Sequence, residues 1–329
     1  MVIRRAVVPA LVLLVGVFVR PAAAQPLPDL VLDTAALANG VTFDLHAFAP
    51  DACELQAADL CVDAAGTRKL LRFDVAAINQ GTADLVLGDP TQQPPPVDQH
   101  GNPLFVYSQC HGHYHFQSFA RYELRERGQA TLVKAGSKRA FCVEDTRAVT
   151  STAPKKYTCT NQGIQVGWSD VYPNNLACQW IDITDVPPGD YDLWVFLNTE
   201  QILPESDFTN DSGMTPVTIA GPDATHPAPV VHLKAPHGKK ARHVGHVLNI
   251  RWQVHTKHGH GLKFQDVLFS KDNGATWTLL ANSAVAKTRR YKWEIPADAA
   301  TTQAIVRVVA WSTDEQRGVA STAPFTIAP

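Results

Sequence analysis

The chain has 329 residues, which favours about two domains; 45% of the residues are hydrophobic and 18% are charged. This composition excludes disordered, collagen-like and coiled-coil proteins and is typical of globular domains. The formal net charge of -2 hides two halves of opposite sign. Residues 25–225 carry 12 basic and 25 acidic side chains, a net of -13, whereas residues 226–329 carry 14 and 6, a net of +8. No motif makes nucleic acid the expected partner of either half.

Residues 1–24 predict a signal peptide. They combine a basic start, an apolar stretch at 6–19 and a small-residue cleavage site at Ala22–Ala24. The alternative is an uncleaved anchor, but the apolar stretch is shorter than the roughly 20 residues that a membrane-spanning helix needs. We therefore expect an exported protein, periplasmic or extracellular, whose mature chain begins at Gln25.

The cysteine count supports export. The chain contains six cysteines, at Cys53, Cys61, Cys110, Cys142, Cys159 and Cys178. In an oxidising compartment an even number predicts three disulfides, and fifteen pairings are possible for six cysteines. The alternative of a zinc site is disfavoured because no close cysteine pair is present.

The pattern of short apolar runs predicts an all-β protein. Residues 70–78 form one predicted strand and residues 191–197 another, each bordered by a turn rich in Gly, Pro or Asn. No segment after the signal peptide has a convincing helical period. We expect residues 25–220 to form a β-sandwich-like domain with long loops.

The second half predicts a separate accessory domain. Residues 221–229 are Pro-rich and mark a linker, and residues 230–329 have the strand spacing of an immunoglobulin-like or fibronectin-like sandwich. Residues 270–277 resemble an Asp-box hairpin, which is mostly a structural turn. Histidines recur irregularly in this half, and we expect solvated surface there, with weak metal binding as the alternative. They are His232, His237, His243, His246, His255, His258 and His260.

The chemistry-bearing segment contains His111, His113 and His115. Alternating residues of a strand share one face, but the outer two Cα atoms of a straight strand lie roughly 13 Å apart. Binding one ion therefore requires a bend, which Gly112 favours. An imidazole site suits copper or zinc, and copper has the higher intrinsic affinity. The alternative is a solvent-facing polar strand.

Five segments of residues 27–220, in the same order along the chain, resemble segments of the lysyl oxidase family. Members of this family are copper-dependent amine oxidases with a peptide-derived quinone. These segments are residues 70–82, 110–115, 138–146, 178–191 and 204–210. The resemblance implies that copper binds to the three histidines. It also implies that copper and dioxygen link Lys138 to Tyr172 as lysine tyrosylquinone, although alone these residues would be a surface lysine and a core tyrosine.

The implied reaction converts a primary amine, free or as peptidyl lysine, to an aldehyde. Dioxygen is consumed, and ammonia and hydrogen peroxide are released. Asp170, two residues before Tyr172, is a candidate catalytic base. The rival interpretation is a non-enzymatic secreted copper-binding or adhesion protein.

The resemblance also implies a calcium site built from oxygen ligands. Its residues are Asp29, Leu30 through its carbonyl, Glu205, Asp207, Asn210 and Asp211. The alternative is a capped turn at residues 205–211. A calcium ion would join the first segment of the domain to its end.

Three departures from the family pattern stand out. Ser108 occupies the position of a further histidine of the vertebrate enzymes, and Arg147 and Trp168 occupy the positions of two cysteines. Because a secreted protein tends to lose cysteines in pairs, the resemblance implies that the remaining six pair fully. The implied bridges are Cys53–Cys110, Cys61–Cys178 and Cys142–Cys159.

The opposite charges of the two halves predict an interaction. The basic C-terminal domain should either dock on the acidic domain, more weakly in salt, or bind an anionic surface glycan.

Overall fold

The computed structural model describes residues 25–56, 60–98, 100–116, 119–137, 142–237, 240–257, 259–283 and 289–329. The predicted signal peptide lies outside the described residues, as do Lys138 and His258. The described chain is almost entirely β-strand, which confirms the predicted all-β class. Within these ranges, no helix has the length and apolar character required to cross a membrane.

Residues 25–220, here called the N-terminal module, contain one helix and fifteen described strands. The elements are β1 Leu30–Leu32, α1 Thr34–Asn39, β2 Thr42–Phe48, β3 Gly66–Arg72, β4 Val75–Asn79, β5 Leu85–Gly88, β6 Phe105–Ser108, β7 His113–Phe116, β8 Ala120–Glu126, β9 Leu132–Ser137, β10 Arg147–Ala148, β11 Gln162–Ile164, β12 Trp168–Tyr172, β13 Trp180–Asp182, β14 Gly189–Leu197 and β15 Ser212–Ile219. A short 3₁₀ turn spans Cys53–Leu55.

The strands of the N-terminal module form several small antiparallel sheets. The strand orders are β1-β4-β12-β10, β11-β5, β13-β3-β2, β15-β14-β8-β9 and β6-β7. Strand β14 is central because it pairs with β8 and β15 along most of its length. Its alternating residues Leu193, Val195 and Leu197 are buried in one large core.

Two local features differ from the sequence interpretation. The predicted strand at 70–78 is divided into β3 and β4, which belong to different sheets. The helix α1 was not predicted, since its six residues are too few to show a helical period. It forms because the Asp33 side chain accepts a hydrogen bond from the Ala36 amide at 2.9 Å, the usual N-terminal cap.

Residues 230–329, the C-terminal module, have nine described strands and their own core. The strands are β16 Val230–Ala235, β17 Arg242–His243, β18 Val247–His255, β19 Leu262–Ser270, β20 Thr278–Ser283, β21 Arg290–Glu294, β22 Thr301–Ser312, β23 Arg317–Ser321 and β24 Phe325–Ala328; a 3₁₀ turn spans Ala297–Ala299. Two sheets, β16-β18-β21 and one built around β22, enclose the core. In the loop between β19 and β20, the Asp272 side chain bonds Ser270 and Thr276, as expected for an Asp-box turn.

The two modules contact each other through β3 and β19. The Asp266 carboxylate, 3% exposed, accepts hydrogen bonds from the Thr67 amide at 3.0 Å and the Thr67 hydroxyl at 3.1 Å. Beside this contact, Leu45 of the N-terminal module packs in a small apolar cluster with Val309 and Trp311. The acidic and basic halves of the sequence therefore share a partly apolar interface.

Candidate functional site

Three histidines converge at the end of the hairpin formed by β6 and β7. The ligating ring nitrogens of His111, His113 and His115 all lie within 4.8 Å of one another. His111 Nδ1 is 3.2 Å from His115 Nε2. His115 is buried, whereas His111 and His113 are half-buried. Within the described part of the chain, this is the one group of three or more His, Cys, Asp or Glu residues with such spacing.

The convergence arises from a turn rather than from a bent strand. Only His113 and His115 belong to β7, and His111 lies in the preceding turn. Gly112 has φ +72°, a left-handed conformation that favours glycine. The turn folds the His111 ring back over the strand, so the ring centroids of His111 and His115 are 5.2 Å apart. The expectation of three imidazoles along one strand face was therefore only partly correct.

Ser108, the position at which the family pattern has a histidine, stabilises this turn. Its buried hydroxyl accepts a hydrogen bond from the His111 amide at 3.2 Å, and its carbonyl accepts one from the Gly112 amide at 2.8 Å. On the other side, Cys110 is bridged to Cys53. Sequence reasoning recognised Ser108 only as a departure and missed its role in holding the turn.

The donor set fits a copper ion. Three imidazoles that face one point are the ligands that copper and zinc prefer. The turn and the disulfide hold two of them in place before any ion binds. The geometry is therefore suited to a transition metal rather than to calcium or magnesium, which prefer oxygen ligands.

Tyr172 and Asp170 lie on the same face of β12, two residues apart, and both are buried. The Tyr172 hydroxyl donates towards the Cys142 carbonyl at 3.0 Å, and it also contacts the Asp170 carboxylate. The Glu144 amide donates to the same carboxylate at 3.3 Å. The structure thus brings the two residues predicted from the sequence into direct contact.

Aromatic rings connect the histidines to Tyr172. Phe116 directly follows His115, and its ring centroid is 6.1 Å from that of Phe119. The Phe119 ring in turn lies edge-on to Tyr172 at 6.0 Å. Both phenylalanines are buried in the core. They were missed in the sequence, where they resemble any other core residue.

A second buried tyrosine lies near the same carboxylate. Burial raises the pKa of Tyr122 well above its ordinary value, and the nearby Asp170 charge adds to the effect. The Tyr122 hydroxyl donates to the Gln179 side chain at 3.0 Å. Tyr122 is therefore a neutral phenol at physiological pH.

Lys138 lies outside the described residues, but both of its flanks are described. Ser137 ends β9 opposite Arg121 of β8. Cys142, four residues after Lys138, presents its carbonyl to Tyr172. The candidate lysine therefore belongs to a short segment with one end at β9 and the other at the candidate tyrosine.

All three implied disulfides are present: Cys53–Cys110, Cys61–Cys178 and Cys142–Cys159. The positions of the two absent cysteines, Arg147 and Trp168, lie on the paired strands β10 and β12, one step apart in register. Because side chains alternate along a strand, these two positions face opposite sides of the sheet, and the register alone does not support a former bridge between them.

The candidate calcium ligands come from the two ends of the N-terminal module's chain and lie close together. The Leu30 amide donates to Glu205 Oε2 at 2.5 Å, and Asn210 Nδ2 donates to Asp29 Oδ2 at 3.3 Å. The first segment is thus joined to residues 205–211, as expected. Asp207 differs from the rest, because it is exposed and its carboxylate accepts bonds from Thr209 in its own turn.

Buried oxygen atoms in this cluster lack donors. Asp29 Oδ1, Asn210 Oδ1 and Asp211 Oδ1 have no hydrogen-bond partner among the described residues. Burial and the neighbouring charges of Glu205 and Asp29 raise the pKa of Asp211 to about 8. Unpaired oxygens and crowded carboxylates are the conditions that a divalent cation relieves, so the residues fit calcium.

The site defines a β-protein with three converging histidines that are connected through two buried phenylalanines to a buried tyrosine. The family model for lysyl oxidase matches residues 33–225, more than half of the chain. The chain therefore belongs to the lysyl oxidase family.

Curated relatives agree with this assignment. The chain is 38% identical over 195 residues to lysyl oxidase homolog 2 of Xenopus tropicalis, covering 56% of this chain and 24% of that protein. It is 37% identical over 187 residues to lysyl oxidase homolog 3 of Homo sapiens, covering 56% and 23%. Against lysyl oxidase homolog 3B of Danio rerio the identity is 42% over 151 residues, covering 45% and 17%. The matched region is thus about a quarter or less of the length of each relative.

Proposed function

We propose that this protein is an exported, copper-dependent oxidase that converts primary amines to aldehydes with a quinone formed from Lys138 and Tyr172. The observation that carries the proposal is the convergence of three histidines, which two buried phenylalanines connect to a buried tyrosine whose hydroxyl contacts a carboxylate. Family membership supports an oxidase function. The three disulfides support an oxidising, extracytoplasmic location.

Covalent connectivity supports Lys138 as the partner of Tyr172. Its Cα atom is one peptide unit, about 3.8 Å, from that of Ser137. Four residues span at most roughly 14 Å, so the lysine also remains near Cys142. The Cys142 carbonyl is itself 3.0 Å from the Tyr172 hydroxyl. Chain connectivity alone therefore allows the long lysine stem to approach the tyrosine ring.

The histidines would hold copper, which together with dioxygen supplies the oxidising power for making the quinone and for turning over the amine. Asp170 is placed to accept the phenol proton of Tyr172 through its contact with that hydroxyl. Phe119 packs against the edge of the tyrosine ring and fixes its orientation. Because Tyr172 and Asp170 are 2% and 1% exposed, water is largely excluded from this proton transfer.

Calcium would stabilise the module without taking part in the reaction. Asp29, Asn210 and Asp211 would donate the oxygens that now lack partners. Glu205 already accepts bonds from Leu30 and Asn198 and would complete the negative charge of the site.

Peptide mapping tests the proposal. Copper-loaded, aerated protein should yield one cross-linked species that contains Lys138 and Tyr172, and it should release peroxide when a primary amine is added. The Lys138→Arg variant should lose both signals, whereas Lys134→Arg, the same change four residues earlier on β9, should keep them. Full copper loading with both residues unmodified would instead support the non-enzymatic copper-binding protein.

A further inference from the structure

A second group of histidines lies far in sequence from the β6–β7 hairpin, which carries His111, His113 and His115. His226 belongs to a tight turn of the linker, in which Asp223 Oδ1 accepts bonds from the amides of Thr225 and His226. His260 lies in the loop before β19. The Lys257 ammonium donates to the Ala224 carbonyl and joins the two segments. As a result, the two imidazole rings lie with their centroids 6.1 Å apart and nearly perpendicular.

Each ring has an oxygen partner on the same nitrogen. His260 Nδ1 is hydrogen-bonded to the Asp314 carboxylate. His226 Nδ1 is 2.9 Å from the Thr225 hydroxyl and 3.6 Å from Asp223 Oδ1. An Nδ1–H that donates to a carboxylate leaves the lone pair on Nε2. His260 therefore has the carboxylate partner that is the usual second shell of a metal-binding imidazole, whereas His226 has the Thr225 hydroxyl as its hydrogen-bond partner.

The spacing also suits a shared ion. With metal–nitrogen bonds of about 2.0–2.1 Å, two ligating rings have centroids roughly 5 to 6.4 Å apart, depending on the angle at the metal. The ring centroids of the three histidines in the β6–β7 hairpin are 4.9, 5.2 and 5.9 Å apart. The distance of 6.1 Å between the His226 and His260 centroids is close to these values. The His226 side chain is 54% exposed and can turn to optimise its angle.

We propose that His226 and His260 form a second transition-metal site, in which Cu²⁺ or Zn²⁺ is bound by the two Nε2 atoms and by water. Imidazole ligands select these ions over calcium and magnesium. Asp314 and Asp223 orient the rings and offset the charge of the ion. Because His226 belongs to the linker and His260 to the C-terminal module, the ion fixes the linker to that module.

The C-terminal module offers a matched control. His232 and His255 lie on the adjacent strands β16 and β18 with centroids 5.6 Å apart, and both are exposed. No carboxylate partner is seen for either ring in the described structure. If mere closeness of two imidazoles were sufficient, this pair would bind copper as well as His226 and His260 do.

The test counts copper in mature, tag-free protein from which the first site has been removed by His111→Ala, His113→Ala and His115→Ala. With one equivalent of Cu²⁺ we expect one bound ion after dialysis, with nitrogen coupling in its electron paramagnetic resonance spectrum. Adding His226→Ala and His260→Ala should abolish this binding, whereas adding His232→Ala and His255→Ala should not. Asp314→Asn should weaken binding about 10- to 100-fold, and the exposed Asp298→Asn should have no effect.

Copper retained after the His226 and His260 substitutions would overturn the proposal, as would its loss in the His232 and His255 variant. If the triple variant fails to fold, the stoichiometry of the otherwise unaltered protein decides: two copper ions should fall to one on removing His226 and His260. The count does not depend on quinone formation, so a failure of the oxidase proposal would leave this result unaffected.

Discussion

His111 owes its position to the turn that precedes β7, not to the strand itself. His111→Ala should remove one of three converging imidazoles and lower copper binding so far that amine-dependent peroxide release disappears. The residue is half-buried at a turn, and the fold should remain intact. Copper content and peroxide release can be measured together.

The matched control is His46→Ala, which removes an exposed imidazole of β2. It should retain full copper loading. Normal peroxide release by His111→Ala would show that this side chain is not a ligand.

Tyr172→Phe removes one oxygen atom and tests the quinone directly. A phenylalanine ring cannot become the quinone, so redox-cycling quinone staining should vanish while copper remains bound. The loss of the hydrogen bond to the Cys142 carbonyl should cost about 0.5–1.5 kcal/mol of stability. Tyr107→Phe, the same change at a half-exposed position of β6, should stain normally. Staining of Tyr172→Phe would assign the cofactor to another tyrosine.

At the scale of residues, the sequence predicted the candidates for metal binding and cofactor chemistry and missed the residues that position them. His111, His113, His115, Asp170 and Tyr172 could be found because motif spacing and residue type reveal ligands and phenols. Phe119 and the Cys142 carbonyl could not be found, because neither packing against Tyr172 nor a backbone contact produces a recognisable pattern in the local sequence.

The hairpin of β6 and β7 is small, and a disulfide next to its turn holds it. The Cys53–Cys110 bridge closes a separation of 57 residues and Cys61–Cys178 one of 117 residues. From loop length alone, these bridges contribute about 4 and 5 kcal/mol to stability. Only the first adjoins a candidate metal ligand, His111.

Removing each bridge should therefore have a different main effect. Cys53→Ser with Cys110→Ser should weaken copper binding more, whereas Cys61→Ser with Cys178→Ser should destabilise the fold more. Urea unfolding and copper titration of the folded proteins measure the two effects. Equal copper affinities in the two variants would mean that the hairpin holds its shape without the bridge.

The start of β1 is joined to residues 205–211 by acidic and amide side chains, and calcium should strengthen this junction. At a calcium concentration 100 times the dissociation constant, binding should stabilise the folded protein by about 2.7 kcal/mol. Thermal unfolding with calcium and with a chelator measures the difference.

Asp211→Asn should abolish the calcium-induced increase in melting temperature. Without calcium this variant should be no less stable than the parent, because it replaces a buried carboxyl group whose ionisation Glu205 and Asp29 oppose. The exposed Asp51→Asn should leave the calcium response unchanged. A calcium response that survives in Asp211→Asn would favour the simple capped turn.

At the scale of elements, strands that carry a regular apolar pattern were predictable, as β14, β18 and β22 show. The helix α1 was not, because six residues are too few to show a helical period or to be stable alone, and it depends on the cap at Asp33 and a neighbouring strand although its Ala and Leu residues favour helix. The division between β3 and β4 depends on which sheets each half joins, and that information is not local.

At the scale of the whole molecule, the charge asymmetry of the sequence suggested electrostatic docking of the two modules. The structure brings them into contact, but the ion pairs across the interface are few. Arg317 pairs with Asp185 at 2.9 Å and Lys263 with Asp44 at 3.9 Å, and these four side chains are at least 29% exposed. Such exposed pairs contribute only about 0–1 kcal/mol each. A third pair, Lys69 with Glu315 at 3.4 Å, has side chains only 10% and 23% exposed, so salt screens it less. The buried contacts of Asp266 and Trp311 do not depend on screening.

We therefore expect the interface to resist salt and to depend on Asp266. Asp266→Ala leaves the buried amide of Thr67 without its acceptor, which costs about 1–3 kcal/mol. The modules should then separate more often, and protease cleavage within residues 221–229 should become faster. Raising sodium chloride from 0.05 to about 0.5 M shortens the screening length to roughly 4 Å and should accelerate cleavage far less than the substitution does. Asp298→Ala, an exposed change in the same module, should behave as the parent. If salt alone released the modules as fully as Asp266→Ala, net charge would be the dominant force between them, and the apolar cluster around Trp311 would contribute little.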